Sequence, residues 1–170
     1  FLLTSDQKKC ISVINKDLNS DSKMFRILQG DVGTGKTIVA FLAAANVINA
    51  NSQVVLMAPT EILAKQHFDL ANKMFNSTKV NIAFLTGKTK ENIRKKIREN
   101  LLIGKINFLI GTHAVFQKKI QYKNLGLSII DEQHKFGVQQ RIALSNKGGR
   151  NCDILLMSAT PIPRTLIMTI

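Results

Sequence analysis

The octapeptide Gly30-Asp31-Val32-Gly33-Thr34-Gly35-Lys36-Thr37 constrains this 170-residue chain more than any other stretch. It fits G-x-x-x-x-G-K-[ST], a loop that cradles phosphates between a strand and a helix. The residue types follow from the task. Gly30, Gly33 and Gly35 carry no Cβ, so the backbone can adopt conformations closed to other residues and approach a ligand closely. Loop amides, those of Asp31, Val32 and Thr34 included, then converge on phosphate oxygens at the positive end of the following helix. Lys36 is expected to reach the β- and γ-phosphates of a nucleoside triphosphate, and the Thr37 hydroxyl to ligate Mg²⁺. The flanks agree. Residues 24–28 (MFRIL) read as a short buried strand, and 38–48 as an Ala-rich apolar helix starting from Lys36. The competing reading is a glycine turn in a purely structural unit, which the full match and its flanks disfavour.

A phosphate loop binds nucleotide, and hydrolysis needs more. Residues 127–132 (LSIIDE) form an apolar strand ending in two carboxylates. Asp131 is placed to hold Mg²⁺ through water, as in phosphate-loop enzymes generally. Glu132 is the candidate base that orients and polarises the attacking water. Carboxylates seldom end a wholly apolar strand unless solvent or metal compensates the charge. A merely solvated strand end is the bland alternative.

The rest of the chain alternates strands and helices. Thr4 and Ser5 can cap a helix running to about Leu18, with Ile11, Ile14 and Leu18 on one face. Residues 53–58 (QVVLMA) are a continuous apolar run, the pattern of a parallel strand covered on both faces. A helix over 61–75 follows, with Leu63, His67, Leu70 and Met74 on a stripe, so His67 reads as a packed histidine. Strands are expected at 80–85, 106–110, 127–130 and 154–157, and helices at 89–102 and 138–144. In the 89–102 helix, Ile93, Ile97 and Leu101 are expected inward and Lys90, Arg94, Lys95, Lys96 and Arg98 outward. That basic face is either simply solvated or in contact with nucleic acid. Residues 146–150 read as a basic, Gly-containing loop. The alternation predicts an α/β fold with a mostly parallel, three-layer sheet. Residues with evident chemistry fall just past strand ends, the edge where ligands bind in such sheets.

Lys and Arg number 24 against 11 Asp and Glu, a formal charge of +13. Such an excess suits a polyanionic partner, nucleic acid first, and a general richness in Lys, Asn and Ile would produce it too. Cys10 and Cys152 lie far apart and read as free thiols in a reducing compartment. Three His and no paired Cys argue against a zinc site. No apolar run is long enough to span a bilayer, so no membrane partner is expected. Phe1-Leu2-Leu3-Thr4 lacks Met and signal-peptide features, and the chain stops within a helical pattern at 164–170, so a piece of a longer protein is expected.

The motifs together resemble a known superfamily. The phosphate loop, Ala58-Pro59-Thr60-Glu61, Thr86-Gly87, Gly111-Thr112-His113, Asp131-Glu132-Gln133-His134 and Ser158-Ala159-Thr160 occur in the order of helicase superfamily 2 motifs. GDVGTGKT, DEQHKFGVQQR and SATPIPRTL narrow the resemblance to the RecG family of branched-DNA helicases, over essentially the whole chain. Transcription-repair coupling factors are similar but typically carry DEEH where Gln133 stands here; they are the alternative. Lys135 replaces the usual Arg and loses its planar fork, so it receives no role.

The resemblance implies a P-loop NTPase (RecA-like) domain, the first of two motor domains, using ATP and Mg²⁺. It implies work on DNA at replication forks and Holliday junctions, in the bacterial cytoplasm, as a monomer. Gln7 matches the upstream element that reads adenine. Pro59, Thr60, Thr86, Gly87 and Thr112 match motifs that track the nucleic-acid backbone. Phosphate contacts of that kind set position rather than sequence. His134, Ser158, Ala159 and Thr160 match elements coupling nucleotide state to DNA grip. A wedge domain that recognises the branch and a second motor domain with arginine fingers are expected outside this chain. Alone, the chain is expected to bind ATP weakly, turn over little and unwind nothing.

Overall fold

The computed structural model describes residues 2–31, 33–131 and 152–159. Within them six parallel strands form one sheet: β1 (Phe25–Gln29), β2 (Gln53–Met57), β3 (Ile82–Leu85), β4 (Phe108–Gly111), β5 (Leu125–Asp131) and β6 (Asp153–Ser158). Their order across the sheet is β1-β6-β5-β2-β4-β3. Four helices flank it: α1 (Ser5–Leu18), α2 (Lys36–Asn49), α3 (Glu61–Phe75) and α4 (Glu91–Leu102).

The apolar runs explain the layering. Successive strand residues point to opposite faces, so a strand buried on both faces is a near-continuous apolar run whose polar members, such as Gln53 donating to Leu101 O and Ile106 O, are hydrogen-bonded. Every residue of β2 is buried. Val54 and Leu56, with Phe108, Ile110, Leu127 and Ile129, form a core with α1, α2 and α3. Val55, Met57, Leu109, Ile130 and Leu156 form a second core with Ile97 and Leu101 of α4 on the other face. The three-layer expectation holds.

Local signals set the helix starts. Thr4 caps α1 through a reciprocal box: its hydroxyl accepts from Gln7 N, and Gln7 Oε1 accepts from Thr4 N at 2.9 Å. The Ala-rich face of α2 buries Ala40, Ala43 and Ala44 completely, so this helix lies close against its neighbours. Thr60 caps α3, its hydroxyl accepting from Leu63 N.

Five expectations need correction. The strand read as buried over 24–28 spans Phe25–Gln29 and buries only Leu28, with Phe25 49% exposed, because β1 is an edge strand of the sheet. The strand expected at 127–130 begins two residues earlier, at Leu125, and runs to Asp131. The strands expected at 80–85 and 106–110 begin two residues later, at Ile82 and Phe108. There Asn81 N donates to Asn107 Oδ1 instead of joining the ladder. Ile93 is 47% exposed rather than inward; Ile97 and Leu101 alone of the expected stripe reach the core. Arg94 is not a solvated cation: its side chain is only 13% exposed. Cys10 and Cys152 are free thiols, as expected. No helix among the described residues is long and apolar enough to cross a membrane. The 138–144 helix, the 146–150 loop and the 164–170 segment lie outside the described residues.

Candidate active site

Because all six strands are parallel, their carboxyl ends share one edge. Strand order divides that edge in two. The ends of β1, β6 and β5 carry the phosphate loop, Ser158-Ala159 and Asp131. The ends of β2, β4 and β3 carry Pro59-Thr60, Thr112 and Thr86-Gly87.

The phosphate loop turns through left-handed glycines, φ 85° at Gly33 and 79° at Gly35. Gly35 is also the N-cap of α2 and supplies no side-chain cap, and the first turn holds no acidic residue. The first amides of any helix lack intrahelical acceptors and carry partial positive charge. An anion is the partner that suits them. Lys36 Nζ donates to the carbonyls of Gly30 at 2.5 Å and Asp31 at 2.8 Å, which holds the ammonium across its own loop. Thr34 braces the turn, its hydroxyl donating to Asp31 O at 2.8 Å. Gln7 Nε2 donates to Thr34 O at 3.1 Å, so α1 docks on the loop through the same side chain that closes its capping box. Gly30 N donates to Ser158 O at 3.2 Å, tying the loop to the end of β6.

Asp131 pairs with Met157, and Ser158 pairs with Gln29, so β6 alone separates the carboxylate strand from the loop strand. Two strand spacings amount to roughly 10 Å. Lys36, Thr37 and Asp131 are therefore gathered on one stretch of edge. The oxygen donors of Thr37 and Asp131 suit Mg²⁺, which takes one or two protein oxygens and keeps several waters. Asp131 Oδ2 lies 2.6 Å from His67 Nε2, with side chains 13% and 10% exposed. The packing expected of His67 is present, since its ring meets Phe41 edge-on at 6.4 Å. The contact to Asp131 was not expected.

On the other half of the edge, Arg94 is the organising cation. Its guanidinium donates to Thr86 O at 2.9 Å and Gly87 O at 3.2 Å, and to Gln117 Oε1 at 2.8 Å. Thr86 is buried; its N–H donates to Thr89 Oγ1 and its hydroxyl accepts from Lys88 N. Lys88 reaches Glu61 at 3.3 Å, which links this turn to the start of α3. At Gly111 a Cβ would lie 1.8 Å from Leu85 O, so only glycine lets β4 end this close to β3. Thr112 N then donates to Leu85 O.

Sequence reasoning thus missed two residues. A lone imidazole in the buried α3 stripe of Ala64, Ala71 and Phe75 was the available sign for His67. For Arg94, one of several cations on its helix, no local sign existed. Val32, Glu132, His134 and Thr160 lie outside the described residues.

Comparison with known proteins identifies relatives of the chain and of its fold. Over 176 aligned residues the chain is 48% identical to the ATP-dependent DNA helicase RecG of Treponema pallidum, covering all of this chain and 26% of that protein. It is 49% identical to RecG of Aquifex aeolicus over 171 residues, all of this chain and 22% of that one. The chain spans about a quarter of the length of these curated relatives. A solved structure of RecG bound to a three-way DNA junction superposes with a TM-score of 0.86 at 43% identity, over 98% of this chain and 22% of that one. The helicase MrfA bound to DNA and AMPPNP shares the fold, with a TM-score of 0.73 at 18% identity over 93% of this chain and 24% of that one. With the phosphate loop and the carboxylate on one sheet edge, and the DEAD/DEAH box helicase pattern matched over residues 4–169, the chain belongs to the DEAD/DEAH box helicases.

Proposed function

We propose that the chain is the first RecA-like motor domain of an ATP-dependent DNA helicase acting on branched DNA, in recombination and repair. One observation carries the reading. A single sheet edge places the phosphate loop and Asp131 on its β1-β6-β5 half and the small and hydroxyl residues on its β2-β4-β3 half. The likeness to RecG, including the form bound to a DNA junction, supports DNA as the partner.

The residues divide the work. Residues 30–37 (Gly30, Asp31, Val32, Gly33, Thr34, Gly35, Lys36 and Thr37) hold the triphosphate through main-chain amides and the Lys36 ammonium. Gln7, whose Nε2 donates to Thr34 O, is assigned to the adenine on its likeness to the family element upstream of the loop. Thr37 and Asp131 hold Mg²⁺, which when bound neutralises charge on the phosphates. Glu132 orients the attacking water. Pro59, Thr60, Thr86, Gly87 and Thr112 contact the DNA backbone. Ser158, bonded to Gly30, transmits nucleotide state along β6 together with Ala159, Thr160 and His134. A second motor domain supplies the cations that complete the ATP site, so this chain alone turns over slowly. A wedge domain selects the branch.

The test is ATP hydrolysis with forked, linear and single-stranded DNA, by this chain alone and joined to a second motor domain. Lys36→Ala should abolish turnover and weaken nucleotide binding. Glu132→Gln should keep binding and slow the chemical step by about 10²–10⁴-fold. Robust DNA-stimulated turnover by this chain alone would contradict the half-site. Translocation without fork unwinding would point instead to a coupling-factor type of motor.

A further inference from the structure

His67 is the one polar member of the buried stripe on α3, among Ala64, Ala71 and Phe75. A buried imidazole needs a partner for its N–H. Here the partner is the carboxylate that the proposed ATPase reading assigns to Mg²⁺, at 2.6 Å. The ring has little freedom to leave. It is 8% exposed, and the fully buried Phe41 of α2 stands against it edge-on. Asp131 is the last residue of β5, and its backbone pairing with Met157 leaves its side-chain torsions free. A strand-end carboxylate can rotate about its own χ angles, and a hydrogen bond to one oxygen removes that freedom.

We propose that His67 is a positioning residue of the ATPase site: its Nε2–H donates to Asp131 Oδ2 and turns Oδ1 toward the metal and its waters. The inference rests on the proposed function. Hydrogen bonds of this kind to metal-binding carboxylates commonly shape metal affinity. The helix that presents His67 begins directly after Thr60, seven residues or roughly 10 Å earlier along the axis. One rigid element therefore carries both the imidazole and the loop assigned to the DNA backbone.

Two measurements on this chain test the proposal. The first needs no nucleotide. In ¹⁵N-histidine NMR spectra the His67 Nε2 proton should exchange slowly with water, and the signal should vanish in Asp131→Ala. Rapid exchange in the unsubstituted chain would overturn the proposal. The second compares affinity for a non-hydrolysable ATP analogue in Mg²⁺ and in EDTA. His67→Leu fills similar space without a donor and should lose about tenfold of the Mg²⁺-dependent gain. Affinity in EDTA should stay unchanged. His67→Gln, whose Nε2–H can take the same place, should recover most of the gain. An equal Mg²⁺ gain in all three chains would overturn the proposal, as would equal losses in Leu and Gln. If the unsubstituted chain binds no nucleotide, the proposed function fails, and the NMR signal alone decides the placement of His67.

Discussion

At the scale of single residues, the loop glycines differ in what they tolerate. A non-glycine residue in the left-handed region costs roughly 1–2 kcal/mol. Gly33→Ala should cost about that and no more, because nothing lies within 4 Å of its Cβ position. Gly35→Ala should cost more, since its Cβ would fall 2.1 Å from Gln7 Nε2 and push that side chain off Thr34. Urea unfolding midpoints of the two variants check the ordering. The Asp17–Arg26 pair gives a pH prediction. Its hydrogen bond to Arg26 holds the Asp17 carboxyl below its ordinary value. A lowered folded value means stability that is present above the ordinary carboxylate range and lost as pH falls through the folded value. Both side chains are partly exposed, at 29% and 49%, so solvent discounts the pair. Asp17→Asn should remove about 0.2–1 kcal/mol near neutral pH and nothing in strong acid. Asp153 works the other way. Burial raises its carboxyl value, so its ionisation opposes folding as pH rises. Melting temperatures of Asp17→Asn measured across the acid range separate the two.

At the scale of elements, two side chains each join a helix to a functional loop. Gln7 closes the α1 capping box and bonds Thr34 O. Thr4→Ala should cost about 1 kcal/mol through the lost cap. It should also raise amide exchange in the phosphate loop, because the Gln7 backbone N–H loses the Thr4 hydroxyl and the first turn of α1, which carries the Gln7 side chain onto Thr34 O, is loosened. Arg94 holds the Thr86–Gly87 turn from α4 with a forked grip on two carbonyls and Gln117. A lysine keeps the charge and loses the fork. Arg94→Lys should destabilise by about 1–2 kcal/mol and raise amide exchange at residues 86–89. Unchanged exchange there would show that the turn holds itself.

At the scale of the whole molecule, charge and sheet order act together. A net +13 lies on a chain whose sheet edge presents, on one half, the loops we propose to track the DNA backbone. Contacts to phosphates release counterions, so DNA affinity should fall linearly with salt on logarithmic axes. Fluorescence anisotropy with labelled duplex at several salt concentrations checks this, and a flat response would contradict backbone tracking. Sheet order also explains why the two halves are neighbours. β5, which ends in Asp131, lies beside β2, which leads into Thr60. The elements we propose for nucleotide and for DNA meet at that seam, and His67 on α3 bridges it to Asp131.

The primary structure alone determined the motifs and most of the scaffold. The glycine spacing, the runs QVVLM and LSII, and the Thr4 cap act over a few residues, where local sterics and periodicity decide the outcome. Thus α3 spans the expected residues, and β5 ends at the expected carboxylate. Tertiary structure decided what depends on residues distant in the chain. Asp131 meets His67 across 64 positions, and Arg94 reaches Gln117 across 23. Both side chains carry periodicity that permits a bland face, and only the packed sheet order, β5 beside β2 and β3 beside β4, shows which partner each polar atom finds.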